Sequence, residues 1–171
     1  METEKRRNEL LNLLRKASKP LTGAELARHF NISRQVIVQD IAILRASGEQ
    51  IFASFQGYMI PSLPEEIWVR SVVACRHTRE QIKDELGIVV DLGGRALDVI
   101  VEHPVYGELR GNLMVSSRRD LNLFLESLHK TAANPLLALT GGIHLHTLEA
   151  PDQKVMQEIT ASLDRAGYLV K

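Results

Sequence analysis

A segment of two helices joined by a tight turn, TGAELARHFNISRQVIVQDIAILRASG, constrains the fold of this chain more than any other feature. Thr22 and Glu25 form a capping-box pattern that starts the first helix, and Asn31 tolerates the left-handed backbone that ends it. Ser33 caps the second helix, which continues until Gly48 stops it. Two such helices are typical of a helix-turn-helix DNA-binding motif.

The sequence on both sides of this segment completes a winged version of the motif. Leucines at helical spacing predict an amphipathic helix over residues 4–17. After the motif, IFASF and GYMI predict two short strands joined through Gln56 and Gly57, as in a β-wing. We therefore predict a winged helix-turn-helix DNA-binding domain over residues 1–60. A linker, PSLPEE, follows over residues 61–66, where two prolines mark the domain boundary.

The recognition helix of such a motif enters the major groove of double-stranded DNA by its N-terminal end. Arg and Gln side chains there reach base edges, while a Ser hydroxyl and backbone amides hold phosphate. A blander interpretation is that these are solvated polar residues of a winged helix that binds protein. The predicted DNA-binding residues are Thr22, Ser33, Arg34, Gln35 and Gln39.

Charge and composition are consistent with a cytoplasmic regulator. Residues 1–60 hold nine Lys and Arg against six Asp and Glu, whereas residues 61–171 hold twelve against fifteen. This difference suits a mildly basic nucleic-acid module on an acidic body. The single cysteine, Cys75, cannot form an internal disulfide, which fits a reducing compartment. No apolar run approaches the length of a membrane span, and the N-terminus lacks the apolar stretch of a signal peptide.

The second domain, predicted over residues 67–171, alternates strands and helices in an order that indicates its fold class. The order βαββαβ followed by a further helix is that of a ferredoxin-like sandwich, so the whole chain belongs to the α+β class. The predicted sheet is antiparallel, with its fourth strand beside its first. The predicted elements are strand 67–75, helix 78–86 stopped by Gly87, strands 96–102 and 108–115, helix 117–131, strand 143–148 and helix 152–166.

Four of the six histidines fall at one end of this predicted sheet. His77 ends the first strand, His103 ends the second, and His144 and His146 lie at the start of the fourth. Side chains two residues apart on a strand share a face, so His144 and His146 point the same way. Clustered imidazoles of this kind form a metal site or a small-ligand site.

Three imidazoles and one carboxylate would bind Zn²⁺, Ni²⁺ or Fe²⁺, metals that favour nitrogen-rich sites. Glu85, on the helix that follows His77, is the carboxylate favoured by position, and Glu80 and Glu102 are alternatives. Cys75 shares a strand face with His77 and is either a further donor or, by the simpler interpretation, a buried inert thiol.

The combination of the winged helix with CRHT, DVIVEHPVYGEL and GGIHLHTLE resembles the three-histidine (3H) domain regulators, over nearly the full chain. That family acts as nicotinate-responsive repressors of genes for NAD synthesis and niacin uptake. The resemblance implies a metal bound by His77, Glu85, His144 and His146, with nicotinic acid as corepressor.

Groups near the histidine end of the sheet would hold nicotinic acid. Its pyridine nitrogen could complete an open metal position, and its carboxylate needs a cation or backbone amides such as those of a helix N-terminus. Thr78 and Arg79 open the helix at that end, and Tyr106 in the turn HPVYG could cover the ring. The predicted ligand-binding residues are His103, Tyr106, Arg79 and Thr78.

The sequence thus predicts a metal-dependent repressor, not an enzyme, that senses nicotinic acid and binds operator DNA as a homodimer. One alternative is a metal-dependent hydrolase or isomerase with an accessory winged helix, although no HExxH motif, nucleophile elbow or phosphate loop is present. Another is a scaffold in which the metal is purely structural.

Overall fold

The computed structural model describes residues 3–60 and 68–170. The predicted linker over residues 61–66 lies outside the described residues. The chain divides into two compact units, Met1–Leu63 and Pro64–Lys171. Among the described helices, none combines the length and the apolar character needed to span a bilayer.

The first unit contains three helices followed by a two-stranded hairpin, which confirms the predicted winged helix-turn-helix class. Thr22 and Glu25 cap the second helix reciprocally, and the Ser33 hydroxyl accepts from the Val36 amide at the start of the third. Asn31 ends the second helix with a φ of 52°. The elements are α1 (Thr3–Lys16), α2 (Gly23–Phe30), α3 (Arg34–Ala46), β1 (Phe52–Ser54) and β2 (Gly57–Met59).

Leucine and isoleucine side chains from the three helices form the core of this unit. Leu10, Leu14, Leu26 and Ile37 are almost completely buried. Burial of such aliphatic side chains is the main favourable contribution to folding. These side chains hold α3 against α1 and α2 and so determine which of its residues face solvent.

The wing is attached to the turn before α2 by backbone hydrogen bonds. The Leu21 amide donates to the Tyr58 carbonyl at 2.9 Å, and the Tyr58 amide donates to the Leu21 carbonyl at 2.8 Å. Gly57 makes this approach possible, because its φ is 127° and a Cβ there would lie 2.4 Å from the Leu21 carbonyl oxygen.

We expect Gly57→Ala to destabilise the first unit by about 1–3 kcal/mol, because it combines backbone strain with a clash against main-chain atoms. Gly48→Ala is the matched control, since Gly48 also has positive φ (100°) but a Cβ there would meet nothing within 4 Å. Denaturant unfolding of both variants measures the difference. Equal losses would mean that the clash with Leu21 contributes nothing.

The second unit is a four-stranded antiparallel sheet with helices, in the strand and helix order that the sequence predicts. Two short 3₁₀ helices, Arg79–Gln81 and Leu136–Thr140, accompany the regular elements. The sheet order is β3-β6-β4-β5. Its elements are β3 (Val69–Arg76), α4 (Ile82–Asp91), β4 (Arg95–His103), β5 (Gly107–Val115), α5 (Arg118–Lys130), β6 (Ile143–Ala150) and α6 (Gln153–Arg165).

The last strand, β6, lies inside the sheet, between β3 and β4. It pairs with β3 as predicted, but in the usual ferredoxin-like sheet the third strand also lies beside the first, which does not happen here. The side chains of β6 explain its place. His144, His146, Leu148 and Ala150 alternate along one face and are all buried, and a central strand offers more cover than an edge.

The predicted end of the fourth helix at Gly87 is wrong, because α4 continues through Gly87 to Asp91. Gly87 does not end the helix but allows the Arg118 side chain to approach α4 closely. A Cβ at this position would lie 2.6 Å from the guanidinium of Arg118, which is paired with Asp91. The small residue therefore lets the first turn of α5 pack against α4.

Candidate functional site

Three histidines and one glutamate converge in the second unit. The Glu85 carboxylate lies 2.8 Å from His77 Nε2, 3.3 Å from His146 Nε2 and 3.5 Å from His144 Nε2. None of the four residues is more than 6% exposed. The structure therefore brings together the four residues that the sequence predicts as metal ligands.

Strand register and a capped turn produce this arrangement. In the antiparallel pair of β3 and β6, Cys75 lies opposite His144, so His77 follows immediately beyond the start of β6. The Thr78 amide then donates to the Gln81 side chain at 3.0 Å, which turns the chain into α4 and places Glu85 over the sheet. The alternative carboxylates Glu80 and Glu102 are exposed and do not reach the cluster.

The far nitrogen of each imidazole is bonded to a backbone carbonyl. His77 Nδ1 lies 2.8 Å from the Thr78 oxygen, His144 Nδ1 lies 2.9 Å from the Gly142 oxygen, and His146 Nδ1 lies 2.5 Å from the Asp98 oxygen. A carbonyl oxygen only accepts, so each Nδ1 carries the proton and donates it. In the neutral rings, each Nε2 therefore presents a lone pair to the centre of the cluster.

Lone pairs that face a buried carboxylate leave polar atoms without partners. His77 Nε2, His144 Nε2 and both Glu85 oxygens are buried with no hydrogen bond. The 2.8 Å approach of His77 to Glu85 becomes a hydrogen bond only when the ring gains a second proton. An arrangement of this kind costs free energy unless a proton or another cation enters it.

The electrostatics of the cluster favour a bound cation. Burial alone would raise the pKa of Glu85, but the positive charge of His146, and the hydrogen bonds that the three rings donate once they are protonated at Nε2, hold it well below its ordinary value. Burial also opposes charge on His77 and His146, yet the Glu85 carboxylate outweighs it and raises the pKa of both. The carboxylate is therefore ionised, and it attracts positive charge to the imidazoles.

Cys75 lies beside the cluster. Its Sγ is within 4.8 Å of ligand atoms of Glu85 and His144, and the residue is completely buried. Burial raises the pKa of the thiol, as does the nearby carboxylate. Without a metal, the sulfur is therefore a neutral thiol rather than a thiolate.

A partly open cavity of about 180 Å³ in the second unit is lined on one side by the cluster. Its walls are largely apolar, with Val99, Leu113, Phe124 and Leu136 among them, and Asn112 and Asn134 also line it. Since an apolar cavity of roughly 150 Å³ holds a benzene molecule, there is room for one six-membered ring with a small substituent.

The four residues predicted to hold a ligand do not line this cavity. His103 stacks on Tyr106 with ring centroids 4.9 Å apart, and its Nδ1 accepts from the backbone amides of Val105 and Tyr106. Tyr106 is 72% exposed, and Thr78 and Arg79 are also exposed. Thr78 touches the cluster only through its carbonyl oxygen, which accepts from His77.

Sequence reasoning missed the cavity residues. Phe124 lies in the helix predicted over residues 117–131, where an apolar side chain indicates a core position but does not reveal a cavity. Asn112 and Asn134 carry no sequence signal, because an isolated asparagine is ordinary in a strand end or a loop. Asp98, which accepts from His146, is likewise invisible in the pattern.

The predicted DNA-binding residues are all exposed in the first unit. Ser33 caps α3, and Thr22 caps α2. Arg34 lies in a concavity that is also lined by Thr22, just before α2, and by Ser54 and Tyr58 of the wing. The recognition helix, the start of α2 and the wing thus present polar groups on one surface.

We expect metal-free protein to lose stability as the pH rises above about 6.5. The folded-state pKa values of His77 and His146 are raised, so the stability that their protonation contributes is lost as the pH passes through them. Glu85→Gln should flatten this dependence, because it removes the charge that raises both values. Thermal unfolding of chelator-treated protein between pH 6 and 8.5 measures the slope.

Asp84→Asn, which alters an exposed neighbour on α4, is the control and should keep the wild-type slope. A Glu85→Gln protein with that same slope would show that the carboxylate does not control the imidazoles.

Comparison with known proteins assigns both units. Residues 70–171 match the 3H domain family, and residues 6–59 match an HTH domain family. The chain is 44% identical to the "Probable transcription repressor NiaR" of Thermotoga maritima, over 98% of this chain and 95% of that protein. It is 42% identical to the "Transcription repressor NadR" of Bacillus subtilis, over 97% of this chain and 93% of that protein. Both relatives are repressors rather than enzymes.

Proposed function

The chain belongs to the family of 3H-domain transcription repressors that includes NiaR and NadR, and from that membership we propose that it is a metal-dependent repressor controlled by nicotinic acid. Residues 1–60 bind operator DNA in this proposal, and residues 67–171 bind the metal and the effector. The protein acts in the cytoplasm, where its operator lies, on genes for NAD synthesis or niacin uptake.

The observation that carries the proposal is the set of unpartnered donor atoms around Glu85. A histidine that binds a metal through Nε2 usually donates its Nδ1 proton to a carbonyl or a carboxylate, which orients the ring. His77, His144 and His146 all do this. These three rings and Glu85 would hold the ion, and their nitrogen-rich composition fits Zn²⁺, Ni²⁺ or Fe²⁺.

The cavity beside the cluster supports a small aromatic acid as effector. Its apolar walls suit a six-membered ring, and Asn112 and Asn134 add polar amide groups to its lining. Among the described residues that line it, no Lys or Arg is present. A carboxylate in this cavity therefore depends on the metal ion for its countercharge, whereas the neutral amide nicotinamide does not.

Binding of nicotinic acid favours the DNA-competent form in this proposal, so the effector is a corepressor. Thermodynamic linkage then requires operator DNA to tighten the binding of nicotinic acid by the same factor. A homodimer is expected, because paired half-sites are the usual way in which a small helix-turn-helix domain gains affinity and specificity.

The decisive experiment is calorimetric titration of nicotinic acid into metal-loaded protein, with nicotinamide and chelator-treated protein in parallel. We expect binding of the acid to metal-loaded protein alone. His144→Ala should abolish it, whereas His129→Ala, at an exposed histidine of α5, should not. Equal binding of acid and amide, or binding that survives chelation, would overturn the proposed role of the metal.

Thermal unfolding of the same samples separates an effector site from a purely structural metal. A structural ion contributes folding energy outright, so its removal would unfold the second unit. We expect chelated protein to stay folded and to lose affinity for nicotinic acid.

DNA recognition is tested at the start of α3. We expect Arg34→Ala to weaken operator binding by about 1–3 kcal/mol if the guanidinium contacts a base edge. Arg28→Ala, at an exposed position in the last turn of α2, should have little effect. Gel-shift titration with a duplex selected from a random library measures both. Equal effects would contradict the assigned recognition surface.

A further inference from the structure

Asp98, on β4, contacts the histidine cluster with its main chain and the strand that carries two of the histidines, β6, with its side chain. Its carbonyl oxygen accepts from His146 Nδ1 at 2.5 Å. Its carboxylate accepts from the backbone amide of Thr147 at 2.9 Å and from the Arg110 guanidinium at 2.5 Å. One buried residue thus holds two consecutive residues of β6.

The carbonyl of Asp98 reaches the His146 ring because the sheet is irregular at this point. Ala96 pairs with Leu148 and Ile100 with Leu145, so four steps along β4 match three along β6. This is a β-bulge, a feature that locally interrupts the ladder and is common next to functional sites. Within the bulge, the carbonyl oxygen of Asp98 faces the side chain of His146.

The Asp98 carboxylate stabilises the bulge. The bulge alters the main-chain pairing near Thr147, and the carboxylate supplies the acceptor for its amide. Arg110, half-exposed on β5, provides the charge that a buried carboxylate requires. Without the bond to Thr147 or the bond to Arg110, the bulged segment of β4 that carries the Asp98 carbonyl would be less restrained.

We propose that Asp98 is a positioning residue for the metal site, which sets the tautomer and orientation of the His146 ring through the bulge that its own carboxylate stabilises. The inference rests on the proposed function for its metal-binding consequence. The hydrogen bond between His146 Nδ1 and the Asp98 carbonyl does not depend on the proposed function. Partners of this kind usually change metal affinity by about 10–100-fold when they are altered.

Asp98→Asn tests the proposal, with Glu149→Gln as the matched control. Asn keeps the shape of the side chain, but Thr147 and Arg110 donate to different oxygens of Asp98, and Asn replaces one of these oxygens by an NH₂ group that cannot accept and also removes the charge. Glu149, on β6, is also buried and paired with an arginine, Arg70, at 2.7 Å, but it contacts no histidine of the cluster. Each variant removes the charge of a buried carboxylate that is paired with a partly exposed arginine of the same sheet, and only Asp98 contacts the site.

We expect Asp98→Asn to weaken Zn²⁺ binding by about 10–100-fold in competition with a chromophoric chelator, and to change the visible absorption of Co²⁺-loaded protein. Glu149→Gln should leave both unchanged while losing comparable thermal stability. Unchanged metal affinity in Asp98→Asn, or an equal loss in both variants, would overturn the inference.

Nuclear magnetic resonance of metal-free protein gives a readout that does not depend on the metal. In Asp98→Asn, the Nδ1 proton of His146 should change its chemical shift or exchange faster with solvent. The Nδ1 protons of His77 and His144 should keep their chemical shifts and exchange rates. An unchanged His146 signal would overturn the inference even if metal binds. If wild type binds no divalent ion, the proposed function fails and this signal still tests Asp98.

Arg110→Gln is the milder variant to use if Asp98→Asn does not fold. It keeps both acceptors of Asp98 and removes only a half-exposed cation. We expect a smaller loss of Zn²⁺ affinity than in Asp98→Asn, and a smaller change of the Nδ1 proton signal that is again confined to His146. No change in either signal or affinity would contradict the proposed route through the bulge.

Discussion

The antiparallel pairing of β3 with β6 is the interaction on which the second unit depends. It joins residues about seventy positions apart, and its register places Cys75 opposite His144 and Val73 opposite His146. Long-range pairing of this kind has a high entropic cost of loop closure, and the buried face of β6 offsets it. Because β6 is also bonded to β4, His144 and His146 lie on a central strand, and a carbonyl group of the neighbouring β4 orients the His146 ring.

The same burial creates an electrostatic conflict that the protein alone does not resolve. Glu85 is ionised and buried, and any neutral imidazole beside it presents a lone pair rather than a proton at Nε2, because its Nδ1 proton is donated to a backbone carbonyl. A fold selected only for stability would replace such a group by apolar side chains, since buried charge is rarely favourable. Its retention beside an apolar cavity fits a site whose occupant completes the structure. Coupling of this kind is the physical basis on which a small ligand can bias a repressor.

Sequence patterns predicted the first unit and the element order of the second because both depend on local interactions. Capping at Thr22 and Ser33 and the left-handed turn at Asn31 are encoded within a few residues of each position. The alternation of His144 and His146 likewise follows from strand geometry. The end of α4 was mispredicted at Gly87, since glycine commonly stops a helix and only the packing of Arg118 from α5 explains why it does not.

By itself, the sequence determined the winged helix-turn-helix, the α+β class and the shared strand face of His144 and His146, because turn chemistry and side-chain periodicity act locally. The tertiary structure decided that Glu85, rather than Glu80 or Glu102, joins His77 and these two histidines, because the pairing of β3 with β6 and the position of α4 bring them together. Only the tertiary structure decided that β6 lies inside the sheet, that Asp98 orients His146 across a bulge, and that a cavity lies beside the cluster. His103 and Tyr106 fall at the predicted end of the sheet, but they stack on each other outside that cavity. The physical reason is that a cavity and a bulge are set by packing among residues far apart in the chain, which no local pattern records.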